Sequence, residues 1–377
     1  VGTRRPDKIE LVTKAGSFDR FSRLSVTNDI LGQAEATFET GDETSWPDIE
    51  KLLEPGTPVS LVVNGRPRLL GRSEIVEAEA SPDGGVSAVI TLRTKMADAR
   101  YRSADPATKT NATSIKKFIL ACYKPLGLTE SDFTFDAFAD VDLMTGKASP
   151  AVTPINMDPM QPEQAKVTPP ETIFDAVEKH LRRFGAYHWD GSRGKIIVGI
   201  PNDTKPPRYR MTSKSASAGK GNTILRCRRI RDWSEVAQEV WVTGSTMNAT
   251  NVRKSLKSRS VDEEVLAVAN TTGNFQRLVI IPAQGAYSAQ AAKKQADREL
   301  SLRRRRKDGW EFTTDGWSYW SGSEQINYAP AMTVDVDVDA LGGAHGLYFI
   351  VRTALNLTLD GAVTTSLTCV APGTLLG

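Results

Sequence analysis

The chain has 377 residues, 40% hydrophobic and 25% charged, with 48 Lys and Arg against 45 Asp and Glu for a net charge of +3. That length exceeds one ordinary core, so roughly two to four domains of a soluble globular protein are expected, and the near-balance of charge excludes a surface built throughout to hold nucleic acid. No apolar run approaches the ~20 residues of a membrane span, and the start, Val1-Gly2-Thr3-Arg4-Arg5-Pro6-Asp7-Lys8, lacks the apolar core of a signal peptide, which predicts a product made in the cytoplasm.

Residues 8 to 40 carry three β-like runs, Ile9 to Val12, Phe21 to Val26 and Ala34 to Phe38. A short helix is expected at Trp46 to Leu53, ended by Pro55-Gly56. Val59 to Val63, the turn Asn64-Gly65 and Pro67 to Gly71 predict a tight hairpin, because Asn-Gly accepts the positive φ of a type I′ turn. A second hairpin follows, Leu69 to Glu79 and Val86 to Leu92 about Ser81-Pro82-Asp83-Gly84-Gly85. Residues 1–103 thus read as a β-barrel or sandwich with one added helix.

Ala104-Asp105-Pro106 marks a change of character. Ile115, Phe118, Ile119 and Cys122 fall at i, i+3, i+4 and i+7, on one face of a helix from Thr113 to Tyr123. Residues 140 to 170 are proline-rich and aperiodic, a long surface excursion. Ile173, Phe174, Val177 and Leu181 form the stripe of a helix over 171–184, which Gly185 stops, and the runs Ala186 to Trp189 and Lys195 to Ile200 form a hairpin. These make a small α+β insertion, 104–223.

In the second β-rich part, 224–377, strands are expected at Ile224 to Ile230, Glu239 to Thr243, Leu278 to Ile281 and Trp310 to Thr314. Residues 245 to 262 are polar without a buried pattern and read as a mobile loop. Ser288 caps a helix from Ala289 to Arg305 whose narrow apolar face is Ala289, Ala292, Ala296 and Leu300. The chain closes with the proline-led strand Met332 to Val336 and the hairpin Phe349 to Leu359, Asp360-Gly361, Thr364 to Val370. This ending echoes the stretch after Pro58, with Arg72 and Arg352 in matching places. The fold class expected is β-rich α+β: two similar β-domains, each with a helix, separated by the insertion.

Chemistry is sparse. Cys122, Cys227 and Cys369 form no CxxC pair, which argues against a disulfide framework or a zinc site. Cys122 and Cys369 read as small core residues. His180, His188 and His345 lack HExxH or HxH spacing and read as surface or structural residues, and neither a phosphate loop nor GxSxG occurs. No catalytic, cofactor-binding or metal residue is nominated, and an enzyme is not expected. Asp335, Asp337 and Asp339 alternate along a strand and share one face, either solvated or lining an acidic channel. Arg303-Arg304-Arg305-Arg306-Lys307 ends a helix, where terminal carbonyls favour cations. Without interleaved aromatics it suits contact with an acidic neighbouring subunit better than a nucleic-acid patch.

Pro170-Glu171-Thr172-Ile173-Phe174-Asp175-Ala176-Val177, then Phe184-Gly185-Ala186-Tyr187-His188-Trp189-Asp190 and Gly194-Lys195-Ile196-Ile197-Val198, look like the small central helix and hairpin of one known family. Ser288-Ala289-Gln290-Ala291-Ala292, Ala296-Asp297-Arg298-Glu299-Leu300 to Arg303, Phe312 and Gly316-Trp317 look like its long helix, arginine-rich end and Gly-Trp strand. In this order of parts the chain resembles the baseplate hub proteins of contractile-tailed phages, the phage Mu-like tail protein family, whose fold also forms the base of type VI secretion spike proteins. The resemblance covers nearly the whole chain; the Pro-rich segment 144–170 departs from it.

The resemblance implies two tube-type β-barrel domains per chain and a homotrimer that sets six barrels around a channel. It implies a tail tube or tube-initiator protein above, a trimeric spike below, baseplate wedge proteins outside, and genomic DNA passing without specific binding. It implies no cofactor, and a place in the virion baseplate. The chain ends without a β-helix or OB-like extension, so the spike is expected to be another polypeptide. Asp335, Asp337 and Asp339 then become a candidate channel-facing strand, and Arg303 to Lys307 a candidate subunit contact. The distal tail or tail-tip protein of a non-contractile tail is the alternative, and a tail-associated cell-wall hydrolase the more distant one.

Overall fold

The computed structural model describes residues 7–41, 49–50, 54–81, 85–106, 115–135, 140–141, 148–149, 152–153, 167–191, 194–214, 222–247, 253–283, 288–321 and 324–375. Most of the helix expected at Trp46 to Leu53 and of the segment 144–170 lies outside these residues.

Five strands build the first β-rich unit: β1 (Arg23–Asp29), β2 (Glu35–Thr40), β3 (Pro58–Val63), β4 (Arg66–Ser81) and β5 (Gly85–Arg93). Alternation drives them. In β2, Ala36 and Phe38 turn inward while Glu35, Thr37 and Glu39 face out, so one face is buried and the other wet. The turn between β3 and β4 is the expected Asn64-Gly65 pair, both residues at positive φ, 51° and 76°. The strands pair in the order β1-β2-β5-β4-β3, antiparallel throughout.

The second unit repeats this arrangement. Its strands are β6 (Ile224–Ile230), β7 (Gly309–Asp315), β8 (Thr333–Val338), β9 (Ala344–Leu357) and β10 (Val363–Val370), paired β6-β7-β10-β9-β8, again antiparallel. Both long strands carry a bulge at the same point. Glu74 is the extra residue between the pairs Ser73–Leu92 and Ile75–Thr91, and Val351 between Ile350–Cys369 and Arg352–Thr368. Aligned on the bulge, Arg72 corresponds to Phe349 and Arg352 to Ile75. The expected match of Arg72 with Arg352 is therefore three residues out of register: alternating patterns match themselves at many offsets, and strand pairing decides among them.

The insertion separates the two units in sequence but not in space. Beyond its bulge β9 pairs with β1, from Arg352–Asp29 to Leu357–Leu24, so one sheet runs β6-β7-β10-β9-β1-β2-β5-β4 with β3 and β8 branching off it. Each unit keeps its own core. The first is built from Leu24, Phe38, Leu61, Ile90 and Leu92 and receives Trp317 from the second unit. The second gathers Phe312, Val336, Phe349 and Leu367 with Tyr187 and Trp189 of the insertion.

The insertion packs the helices Ile115–Tyr123 and Ile173–Leu181 against the hairpin Tyr187–Asp190 and Ile196–Pro201. Thr172 caps the second helix by accepting the Asp175 N–H at 3.1 Å, and Gly185 adopts φ 68° at its end. Several elements were not expected. Helix Lys95–Tyr101 contributes Met96 and Ala99 to the insertion core. Strand Tyr209–Ser213 runs parallel to β8. Helix Glu263–Thr272 follows Asp262, which accepts the Val265 N–H at 3.2 Å.

The polar stretch 245–262 corrects the expected mobile loop. Its described residues are the end of the strand Glu239–Met247, the strand Arg253–Val261 paired with it, and the helix cap Asp262. The inward face of Arg253–Val261 is Leu256, Ser258 and Ser260, and the serines bond the long helix Ala289–Arg304: Ser258 to the Ala289 carbonyl at 2.8 Å and Ser260 to Asp297 at 2.7 Å. Serines that find partners on a packed helix make a buried face look polar in the sequence. Among the described residues no helix is long and apolar enough to cross a membrane.

Candidate functional site

The basic cluster begins in the last turn of the helix Ala289–Arg304, which Ser288 opens as expected by accepting the Ala291 N–H at 3.1 Å. Its partners lie within the same chain. Arg303 pairs with Glu299 at 2.9 Å, Arg304 with Asp262 at 2.8 Å, Arg306 with Glu235 at 3.1 Å and Lys307 with Glu264 at 2.6 Å. Burial opposes charge on Asp262, but Arg304 and the Val265 N–H outweigh it and hold the carboxyl below its ordinary range. Arg305 differs. Burial lowers its pKa against the pull of Asp29, and it lines a half-open pocket instead.

The acidic strand is β8. Val334, Val336 and Val338 point into the core and Asp335 and Asp337 lie on the other face as the alternation requires, whereas the strand stops at Val338 and Asp339 opens the short helical turn that follows. Tyr209–Ser213, parallel beside it, supplies Arg210, 3.6 Å from Asp335. Just beyond that strand, the Lys214 ammonium bonds both Asp337 and Asp339, the latter at 3.0 Å. Lys214, then His345, hold Asp337 below the usual carboxylate range. Asp337, Asp339 and His345 bring ligand atoms within 4.8 Å of one another. Lys214 already supplies the cation there, and with Arg210 it offsets part of the charge of the three carboxylates.

A buried ionic junction joins the insertion to the second unit. Glu178, on the helix Ile173–Leu181, bonds Arg298 of the long helix and lies 3.3 Å from His188 Nδ1 and 3.9 Å from Arg182. Arg298 also covers the Tyr187 ring at 4.3 Å. Burial opposes the Glu178 charge, but Arg298, then His188 and Arg182, hold its carboxyl well below the ordinary range. Burial pushes His188 down in spite of Glu178. These groups line a cavity of about 430 Å³ with Phe174, Glu299 and Arg305. No Ser, Thr, Cys or Lys is among its lining residues. An ionised Glu178 locked to arginine is no proton donor at neutral pH, so the junction holds elements together. Sequence reading missed it. The signal was Glu178 four residues after Phe174, a charge on the apolar stripe itself.

A second buried carboxylate ties the insertion to the first unit. Asp190 Oδ2 accepts the Ala34 N–H at 2.8 Å and the Thr94 hydroxyl at 2.7 Å. Burial, opposed by those two bonds, pushes its pKa up to about 6. At the seam of the two units, the Trp317 indole N–H donates to the Asn356 carbonyl at 3.2 Å, and Arg68 donates to the Trp317 carbonyl at 3.1 Å.

No protein-family model matches the sequence, and no curated protein does. Solved structures do. The tail protein of Neisseria meningitidis MC58 superposes with a TM-score of 0.70 at 15% identity, covering 98% of each chain. The 43 kDa tail protein of prophage MuSo2 from Shewanella oneidensis gives 0.71 at 13% identity, over 97% of this chain and 99% of its own. The E. coli c3393 protein, a type VI secretion component described as structurally similar to the T4 bacteriophage tail proteins gp27 and gp5, gives 0.52 at 9% identity over 100% of this chain and 77% of its own. Over almost its whole length, the chain has the fold of the Neisseria and Shewanella tail proteins.

Proposed function

We propose that this chain is a structural tail protein, the baseplate hub: a homotrimer whose two units per chain stand as six tube-type barrels around a channel. The observation that carries the reading is the repeated unit, two sets of five strands with one pairing order and one bulge position. A heterologous contact closes into a ring when its rotation divides the circle, and two near-equal units let three chains present six faces. The ring would join a hexameric tail tube or tube-initiator protein above to a separate trimeric spike below, inside the wedge proteins of a virion baseplate. The fold shared with tail proteins supports the same assignment.

Electrostatics fit passage of DNA without capture. Arg303, Arg304, Arg306 and Lys307 are paired within the chain and are not spent on phosphates. The face with Asp335, Asp337 and Asp339 is the proposed channel lining, its charge offset by Arg210 and Lys214. The role is non-enzymatic. Light scattering of the purified protein tests the reading: a mass of three chains supports it, and a hexamer or a persistent monomer counts against it.

A further inference from the structure

The two units meet inside the chain through β1 and the part of β9 beyond its bulge. Each of these edges has a counterpart elsewhere in the molecule. The part of β4 beyond its bulge, residues 75–80, pairs only with β5 among the described residues, and β6 pairs only with β7. These are open ends of one ribbon. An open strand edge carries a row of unpaired N–H and C=O groups and invites another strand.

The chain's own seam supplies the register for joining them. The bulge alignment sets Asn356 of β9 over Glu79 of β4, and the pairings of β1 and β6 with β2 and β7 set Ser25 over Arg228. The seam pair Asn356–Ser25, bonded side chain to side chain at 3.1 Å, thus becomes Glu79–Arg228. In the same register Glu77 meets Ile230, Ala78 meets Arg229 and Ala80 meets Cys227. Glu77 and Glu79 are exposed on one edge, Arg226 and Arg228 on the other. Among the described residues Glu77, Glu79 and Arg226 make no ion pair, and Arg228 reaches only Glu311, at 3.7 Å. Opposite charges facing across an antiparallel pair are favourable and like charges are not. Two β4 edges therefore repel, as do two β6 edges, while β4 and β6 attract. Alanines at 78 and 80 leave room opposite Arg229 and Cys227.

We infer that the open edge of β4 in one copy of this chain pairs antiparallel with β6 of a second copy, Glu79 opposite Arg228, repeating between chains the contact β9 makes with β1 within one. The inference rests on the hub reading for its ring and adds the contact surface, its polarity and its register. Head-to-tail pairing of unlike edges is the kind of contact that closes a ring.

The test uses the whole chain with Cys227→Ser, since Cys122 and Cys369 are buried. With Glu79→Cys and Arg228→Cys together, mild oxidation should give a covalent ladder ending at three chains. Ala78→Cys with Arg228→Cys, on opposite faces of the sheet, should stay monomeric on a denaturing gel. Glu77→Arg with Glu79→Arg should dissociate the oligomer, as should Arg226→Glu with Arg228→Glu, and all four changes in one chain should restore it. Circular dichroism confirms that each variant folds. A trimer by light scattering that neither cross-links at 79–228 nor responds to charge reversal overturns the strand pairing and leaves the hub reading standing. A protein that stays monomeric at every concentration overturns both.

Discussion

The two five-strand units agree in pairing order and bulge position and differ in almost everything attached to them. Between its first two strands the first unit spends residues 30–34, while the second spends 231–308 on a three-stranded sheet and two helices. The outer strand on β3 is Ile9–Val12, antiparallel; that on β8 is Tyr209–Ser213, parallel. Gly71, where a β-carbon would strike the Arg93 carbonyl, corresponds to Tyr348. Connections can diverge cheaply, because loop-closure entropy grows slowly with length. Strand order and register cannot, because a one-residue slip turns every inward side chain outward. What the units share is what a sheet running through both of them needs.

The largest expected effect breaks the comparison at its seam. Trp317 belongs to the second unit by sequence and to the first unit's core by packing. Trp317→Ala should cost about 4 kcal/mol in chemical denaturation, and both units should lose stability together. Unfolding of one half with the other intact would show that the units are independent.

Next is the junction. Arg298→Met takes from Glu178 its strongest partner and leaves only the longer contacts to His188 and Arg182, so a loss of about 3 kcal/mol is expected, most of it regained when Glu178→Met is added. The sign with pH follows from the depressed Glu178 pKa. The stabilisation is complete above the unfolded value of 4.5 and fades as pH falls below it. Urea denaturation between pH 3 and 7 should show the two proteins converging in acid.

Asp190 behaves in the opposite sense. Its folded pKa, about 6, stands above the unfolded 3.8, so its contribution is most favourable below 3.8 and is lost as pH rises through 6. An amide oxygen at the same place can accept both the Ala34 and Thr94 bonds. Asp190→Asn should therefore raise stability at pH 8 by about 3 kcal/mol and leave it unchanged near pH 3.5. A gain of equal size at both pH values would show that the effect is not ionic.

The smallest effect is expected in the basic cluster. Arg306 and Glu235 are both largely exposed, so Arg306→Gln should change stability by less than about 0.5 kcal/mol. A much larger loss would mean that the cluster is a structural anchor of the second unit's excursion.

Much of the fold was legible in residues with local rules. Asn64-Gly65 and Gly361 mark hairpin turns, Ser288 and Gly185 mark helix ends, and each stands where it was expected. The strand Arg253–Val261 was hidden because its inner face carries serines bonded to a helix distant in sequence. Tyr209–Ser213 was legible and passed over, with Tyr209 and Met211 buried about an exposed Arg210. The place of Asp335 and Asp337 on the outer face of β8 followed from alternation alone, but the cations that offset them come from a strand and turn more than a hundred residues earlier. Such long-range pairing leaves no local trace. The buried charges Asp190 and Arg298 were missed for the same reason, since a charge can be buried when a partner waits in another element, whereas Glu178 did leave a sign in its place on the apolar stripe of its helix.

Symmetry-averaged electron microscopy of the assembled particle's lower end tests the central claim most directly. Three chains should appear as six near-equal densities at one radius, with residues 23–93 alternating with 224–370 around the axis and strands running unbroken across every boundary. Two unlike rings of density at different radii, or six chains in place of three, would contradict it.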